Sequence, residues 1–233
     1  MTDALARYEL ADSIATITMD DGKANALSPT MIEQLQAALD RARTDNAGAV
    51  VLAGRPDKFC AGFDLRIMMS GPDNAIALLR QGADLLMRLY ELPVPLVIAC
   101  TGHALAGGSL VVLTGDTRLC ADGAYKIGLN EVAIGMPIPV LAMELARARL
   151  SPQELTRATL LANIYAPTDA RAAGWFDAVL PAADVAAAAK VEAVRLAALS
   201  KPAFLATKAR LRSATVNLIR TTFDEDVKSA MQR

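Results

Sequence analysis

Three short segments of this 233-residue chain combine residue types that core packing alone does not require. Ala61-Gly62-Phe63-Asp64 stands where a short helix should open. A small-residue turn there lets the backbone approach a ligand closely, and the helix start leaves amide donors free. By itself the segment also reads as a plain helix entry capped by Asp64. Gly102-His103-Ala104-Leu105-Ala106-Gly107-Gly108 lies between a buried strand and a buried helix. Glycines at a helix N-terminus in an apolar stretch present unpaired N–H groups to a developing oxyanion. Close helix–strand packing is the other reading. Gly128-Leu129-Asn130-Glu131-Val132-Ala133-Ile134-Gly135 sets a carboxylate in an apolar strand-to-turn context, away from compensating cations in sequence. Burial without a cation raises a carboxylate pKa toward the range of a general base, whereas a solvated turn glutamate would do no chemistry.

Other chemistries find little support. His103 is the only histidine and Ser109 follows six residues later, but no Gly-x-Ser-x-Gly elbow surrounds that serine, which reads as a helix-packing residue. The GxGxxG and GxxxxGK[ST] phosphate motifs are absent. One histidine and three scattered cysteines (Cys60, Cys100, Cys120), without CxxC or HxxxH spacing, lead us to expect no metal site and a reducing compartment, the cytoplasm. Lys and Arg number 24 against 25 Asp and Glu, so no global surplus of positive charge awaits a nucleic-acid backbone. Lys201, Lys208, Arg210 and Arg212 form a basic cluster without interleaved aromatics. It reads first as a solvated face, second as a phosphate contact for a small ligand, and only distantly as an RNA site. Glu144, Arg147 and Arg149 also read as solvated. Met68 and Met69 read as core filling or a pocket wall, with pocket size depending on them, on Leu86 and on the Ile134–Val140 segment.

The elements that would position these groups follow from hydrophobic period. Arg7–Leu10 and Ile14–Met19 alternate around an Asp12-Ser13 turn and predict a hairpin. Ser28-Pro29 opens a helix through about Arg43. Ala47–Leu52 and Leu96–Cys100 are wholly apolar, as strands covered on both faces are, and Gly54–Lys58 reads as a polar loop. Asn74–Leu92 and Gly107–Thr114 are predicted helices, and Thr117–Cys120 and Tyr125–Gly128 short strands. Beyond Val140, Ser151-Pro152, Thr168-Asp169 and Pro181–Asp184 open successive helices, with one strand signal at Trp175–Leu180. The expectation is an α/β core over residues 1–140 and a helical extension over 141–233, within one structural domain. The start, with Asp3, Arg7 and Glu9, lacks a signal-peptide apolar region, and the uncharged Leu92–Gly115 run is broken by prolines and glycines. No membrane association is expected.

Taken in order, Asn25-Ala26-Leu27, AGFDL at 61–65, GxxxAGG at 102–108 and GLNE at 128–131 resemble the crotonase superfamily, the enoyl-CoA hydratase/isomerase family. The resemblance covers essentially the whole chain. It implies a spiral of repeated ββα units whose C-terminal helices pack into a homotrimer or a dimer of trimers. It also implies an acyl-CoA substrate, with coenzyme A entering as part of that substrate and no permanently bound cofactor. By position, the backbone N–H groups of Phe63 and Gly107 would hold the thioester oxyanion, and Glu131 would be the acid/base. Contacts to CoA and substrate would come from Lys23, Asn25, Ala26, Leu27, Ala61, Asp64, Leu65, Arg66, Gly108 and Leu110, with Lys208 reaching from a neighbouring subunit.

One departure steers the expected activity. Typical hydratases carry a second glutamate two residues after the second of these glycines, where this chain, with Gly107-Gly108-Ser109-Leu110, has a leucine. Gly135-Met136-Pro137-Ile138-Pro139 also lacks the Pro-Gly-rich turn common in hydratases. Single-glutamate members with GLNE resemble Δ3,Δ2-enoyl-CoA isomerases, in which one base moves a proton from C2 to C4. Double-bond isomerisation is therefore the leading expectation. A hydratase of fatty-acid β-oxidation is second, and a CoA-binding protein of this fold without turnover is a third class.

Overall fold

The computed structural model describes residues 4–230, which places Asp3 of the charged N-terminal segment outside the described residues. Strands β1 (Ala6–Ala11) and β2 (Ile14–Met19) form the hairpin, turning through Asp12 and Ser13 at φ 52° and 61°. Two consecutive residues with positive φ match the right-handed twist of the flanking strands. Helix α1 (Pro29–Thr44) is capped by Ser28, whose Oγ accepts from Met31 N at 3.2 Å, and it buries Met31, Ile32, Leu35, Ala38, Leu39 and Ala42. Then follow β3 (Ala49–Gly54), β4 (Asp57–Cys60), a short α2 (Leu65–Met68) and α3 (Pro72–Tyr90). Strands β5 (Leu96–Cys100) and β6 (Gly102–Leu105) lead into α4 (Gly107–Thr114), and β7 (Thr117–Ala121) and β8 (Ile127–Gly128) complete the series.

The order of pairing reveals the repeat. The first strand of each later unit joins a six-stranded sheet in the order β1-β2-β3-β5-β7-β9, and the second strands form a separate sheet, β4-β6-β8. Apart from the hairpin, every ladder is parallel. This is the expected spiral of ββα units. The polar stretch 54–58 is not simply a loop, because Asp57 and Lys58 begin β4 and pair with Gly102 and His103. Strands of two to four residues are too short to show a period-2 pattern, so β6 was also hidden inside the glycine-rich segment.

The tail divides differently from the expectation. After α5 (Val140–Arg147), α6 (Pro152–Thr159) and α7 (Pro167–Ala173), β9 (Ala178–Leu180) joins the main sheet beside β7. Helix α8 (Val185–Ala197) then lays Val185, Ala189, Ala193 and Leu196 on Ile14, Ala49, Val51, Val97 and Ala99. The alternate strand residues Val50, Leu52 and Ile98 face the other core layer, with α1, α3 and α4. A strand's side chains point to opposite faces in turn, so this sheet needs cover on both. The boundary drawn at residue 140 therefore does not separate core from extension. Only α9 (Lys201–Ala230) runs on beyond the sheet layers.

The basic cluster is also corrected. Lys208 and Arg212 are buried, and both bind Asp116, at 2.7 and 2.8 Å. Arg212 donates further to the Tyr90 and Thr114 carbonyls. Burial lowers the Lys208 pKa to about 8, against the opposing pull of Asp116. Arg149 is not a free surface residue either. It donates to the Leu113 and Gly115 carbonyls, and burial brings its pKa down to about 10. Glu144 is paired with Arg147 at 3.0 Å. Among the described residues no helix is long and apolar enough to cross a membrane.

Candidate active site

The segments that stood out in sequence converge. Leu27 N donates to Gly62 O at 2.8 Å, Asp64 N to Leu27 O at 3.3 Å, and Ala61 N to Ala24 O at 3.0 Å. Residues 24–27 thus run beside 61–64. The second glycine segment meets the same turn. A Cβ placed on Gly62 would lie 3.2 Å from Gly107 N, and one on Gly107 would lie 3.1 Å from the Phe63 ring. Gly108 has no room for any side chain, since a Cβ there would fall 2.0 Å from Cys60 O. That close approach seats the start of α4 against β4.

Two amides of these turns are left without acceptors among the described residues. In the Leu27–Phe63 bridge the hydrogen bonds use the neighbours of Phe63, and its own N–H has no acceptor among the described residues. Gly107 is the first residue of α4, so its N–H has no intrahelical partner, and it too lacks an acceptor there. The preceding Ala106 adopts φ 48° and ψ −124°, a region that favours glycine. A non-glycine residue held there is a cost that the surrounding structure must offset, and it turns the Gly107 amide away from the strand.

Glu131 comes to the same neighbourhood through β8. Leu105 pairs with Gly128, and Ala106 N donates to Gly128 O at 3.0 Å, placing the GLNE turn one strand away from Gly107. Ser109 fastens this joint, donating to Ala104 O at 2.7 Å and accepting from Gly128 N at 3.1 Å. It is fully buried, and His103 accepts from Lys126 N instead, so the two residues make no hydrolase pair. Glu131 is 8% exposed, and its Oε2 is buried without a hydrogen-bond partner. Burial raises its pKa above the ordinary carboxylate value. Burial without a compensating cation is one of the two settings that the sequence context allowed for this carboxyl.

An apolar cavity lies against Phe63. It holds about 40 Å³ and is walled by Phe63, Leu79, Ala83, Leu86 and Leu110, with Pro139 and Leu141 opposite. Phe223, Asp226 and Val227 of α9 close it. Nothing in the sequence marks these last three, because a thirty-residue helix of mixed composition shows no periodic face. Asp226 Oδ2 accepts from Val140 N, linking α9 to the start of α5.

Among the other residues expected to contact substrate, Lys23, Ala61, Leu65 and Arg66 are exposed along the adjoining rim, and Ala26 is half-buried. Three expectations need correction. The Asn25 side chain is fully buried, receiving from Asp21 N and donating to the Met19, Lys58 and Phe59 carbonyls, so it clamps the loop and has no donor left to offer. Asp64 caps α2 through Arg66 N at 3.0 Å and is bound by the Arg66 guanidinium, which with the cap keeps its pKa low. Lys208 is held by Asp116 within its own chain. Met69, at 83% exposure, is no pocket wall. Among the described residues no cluster of three or more His, Cys, Asp or Glu could hold a metal ion.

The spiral of ββα units is the fold of the acyl-CoA enzymes of the crotonase superfamily. The chain belongs to the enoyl-CoA hydratase/isomerase family, whose model matches residues 9–231. It is 30% identical to human mitochondrial enoyl-CoA delta isomerase 1, over 93% of this chain and 73% of that protein. An enoyl-CoA isomerase of Mycobacterium tuberculosis superposes with a TM-score of 0.93 at 41% identity, covering 98% of this chain and 99% of the other. An enoyl-CoA hydratase of Mycobacterium ulcerans gives a TM-score of 0.93 at 42% identity, covering 97% and 99%.

Proposed function

We propose that the chain converts 3-enoyl-CoA to trans-2-enoyl-CoA with Glu131 as the only acid/base. The Glu131 carboxylate removes a proton from C2. The electron pair moves into the thioester, and the carbonyl oxygen gains negative charge between the Phe63 and Gly107 amides. The same carboxyl then returns the proton to C4, leaving the double bond between C2 and C3. Each preorganised amide in such a dry site supplies about 3–4 kcal/mol of transition-state stabilisation. The Ala61–Arg66 and Lys23–Leu27 rim would receive the CoA portion, and the cavity beside Leu110 the acyl chain.

The observation that carries this reading is the pairing of a buried, unpartnered Glu131 oxygen with an apolar Leu110. Hydration requires a held water and a second acid or base, and Leu110 provides neither. The name of the human relative agrees with isomerisation. The hydratase reading keeps one specific support, the carboxylate of Asp226 in the cavity wall. Asp64 and Glu144 are bound to Arg66 and Arg147, and Asp226 itself accepts from Val140 N. Purified protein should isomerise 3-enoyl-CoA at least tenfold faster than it hydrates trans-2-enoyl-CoA, since one lost catalytic group costs about 10²–10⁴-fold. Hydration at roughly 10–1000 per second would overturn the single-base mechanism and make Asp226→Asn the next variant to assay.

The assembly we propose is a homotrimer or a dimer of trimers, because α9 exposes Leu205, Leu211 and Leu218, with Leu160, Leu161 and Ile164 exposed nearby in sequence to α6. A reducing cytoplasm suits the three free, buried cysteines.

A further inference from the structure

The Phe63 ring is wedged between two glycines from different helices. A Cβ on Gly82 of α3 would fall 2.2 Å from Cε1 and 2.5 Å from Cζ. The opposite edge, Cδ2 and Cε2, lies 3.1 Å from the place a Cβ on Gly107 would occupy. The ring of one amide-bearing residue therefore rests on the backbone of the other, and α3 backs it from behind. We propose that Gly82 is a positioning residue: by having no side chain it admits the Phe63 ring, and the seated ring sets the spacing of the Phe63 and Gly107 amides. This rests on the function proposed above for those amides.

The ring is half-buried, with the apolar cavity on its free side. Leu79, Ala83, Leu86 and Leu110 wall that cavity and belong to the packed core or its edge. A methyl on Gly82 overlaps Cε1 and Cζ, so the ring must leave its seat, toward Gly107 or toward the cavity, and pull on the Phe63 backbone. Either movement misplaces a donor, and a displacement of about 1 Å at a catalytic group can cost on the order of 10²-fold in rate.

The test compares wild type, Gly82→Ala, Phe63→Leu and the double variant, by steady-state kinetics on 3-enoyl-CoA and by the backbone amide NMR resonances of residues 63 and 107. Gly82→Ala should lower kcat by about tenfold or more while KM changes by less than about threefold, because the donors act mainly on the transition state. Both amide resonances should shift. Adding Phe63→Leu, which keeps the N–H and removes the ring edge, should recover most of the lost kcat and return the Gly107 resonance toward its wild-type position. A Gly82→Ala protein with wild-type kcat and unmoved amides overturns the proposal, as does a double variant no better than Gly82→Ala. If Gly82→Ala does not fold, a folded double variant supports the wedge and an unfolded one refutes it. An inactive wild type would defeat the isomerase reading, while the resonances would still decide the role of Gly82.

Discussion

A carboxyl group buried without a cation is subject to two equilibria at once, ionisation and folding. For Glu131, burial raises the folded-state pKa above the ordinary value of 4.5. Folding is thus penalised as pH rises from that ordinary value through the raised one, where the unfolded chain has released its proton and the folded chain has not. Glu131→Gln should therefore be more stable than wild type at neutral pH, with the difference vanishing in acid, as measured by thermal melts across pH. The same variant should lose about 10²–10⁴-fold in kcat, while CoA binding, read by calorimetry, is retained. Wild-type kcat should fall on the acid side with an apparent pKa above that of a free glutamate. Leu110→Glu should raise hydration relative to isomerisation in a two-substrate assay, at a cost of about 2–5 kcal/mol in stability for an added buried polar group. At this scale the sequence was legible wherever a residue's type departed from its surroundings. Glu131 and the glycine turns stood out against apolar neighbours. Asn25 and Lys208 were misread because their partners, among them Phe59 O and Asp116, are fixed by folding rather than visible as a pattern, while Asp64 takes the cap position that its segment also suggested.

At the scale of elements, two devices hold the site's frame in place. The first is the entry to α4, where Ala106 occupies a glycine-favoured conformation. Ala106→Gly should relieve strain of about 1–3 kcal/mol, offset by about 0.5–1 kcal/mol of added chain entropy, so urea unfolding should show a net gain. The second is the anchor of α9. Asp116 also accepts from Leu96 N at 2.9 Å, so one carboxylate joins β5, the α4–β7 connection and α9. Asp116→Ala leaves two buried cations uncompensated and should cost about 3–5 kcal/mol, seen as a lower urea midpoint. The long helices and buried strands were legible because burial imposes a period on them. The short strands β4 and β6 were not, since their positions depend on pairing with each other, whereas β8 lies within the Tyr125–Gly128 strand signal.

For the whole molecule, the exposed leucines of α9 lead to an expected mass of three or six chains by light scattering at micromolar concentration, and a stable monomer would refute the assembly. The overall architecture was legible through the order of its segments, whereas the division at residue 140 was not, because the alanines of α8 give no outward sign of which surface they cover. That cover has a consequence for how the protein is made. The face of the main sheet bearing Val51, Val97 and Ala99 is closed chiefly by α8, whose last residue is Ala197, while β7 is complete at Ala121. A ribosome adding about 5–20 residues per second leaves that face bare for several seconds after the strands themselves have emerged. The nascent chain must pass through this interval as a half-dressed sheet, prone to sticking to its neighbours. Fragments ending before α8 should accumulate in inclusion bodies, and the yield of intact protein should respond to holdase chaperones more than to foldases acting after release.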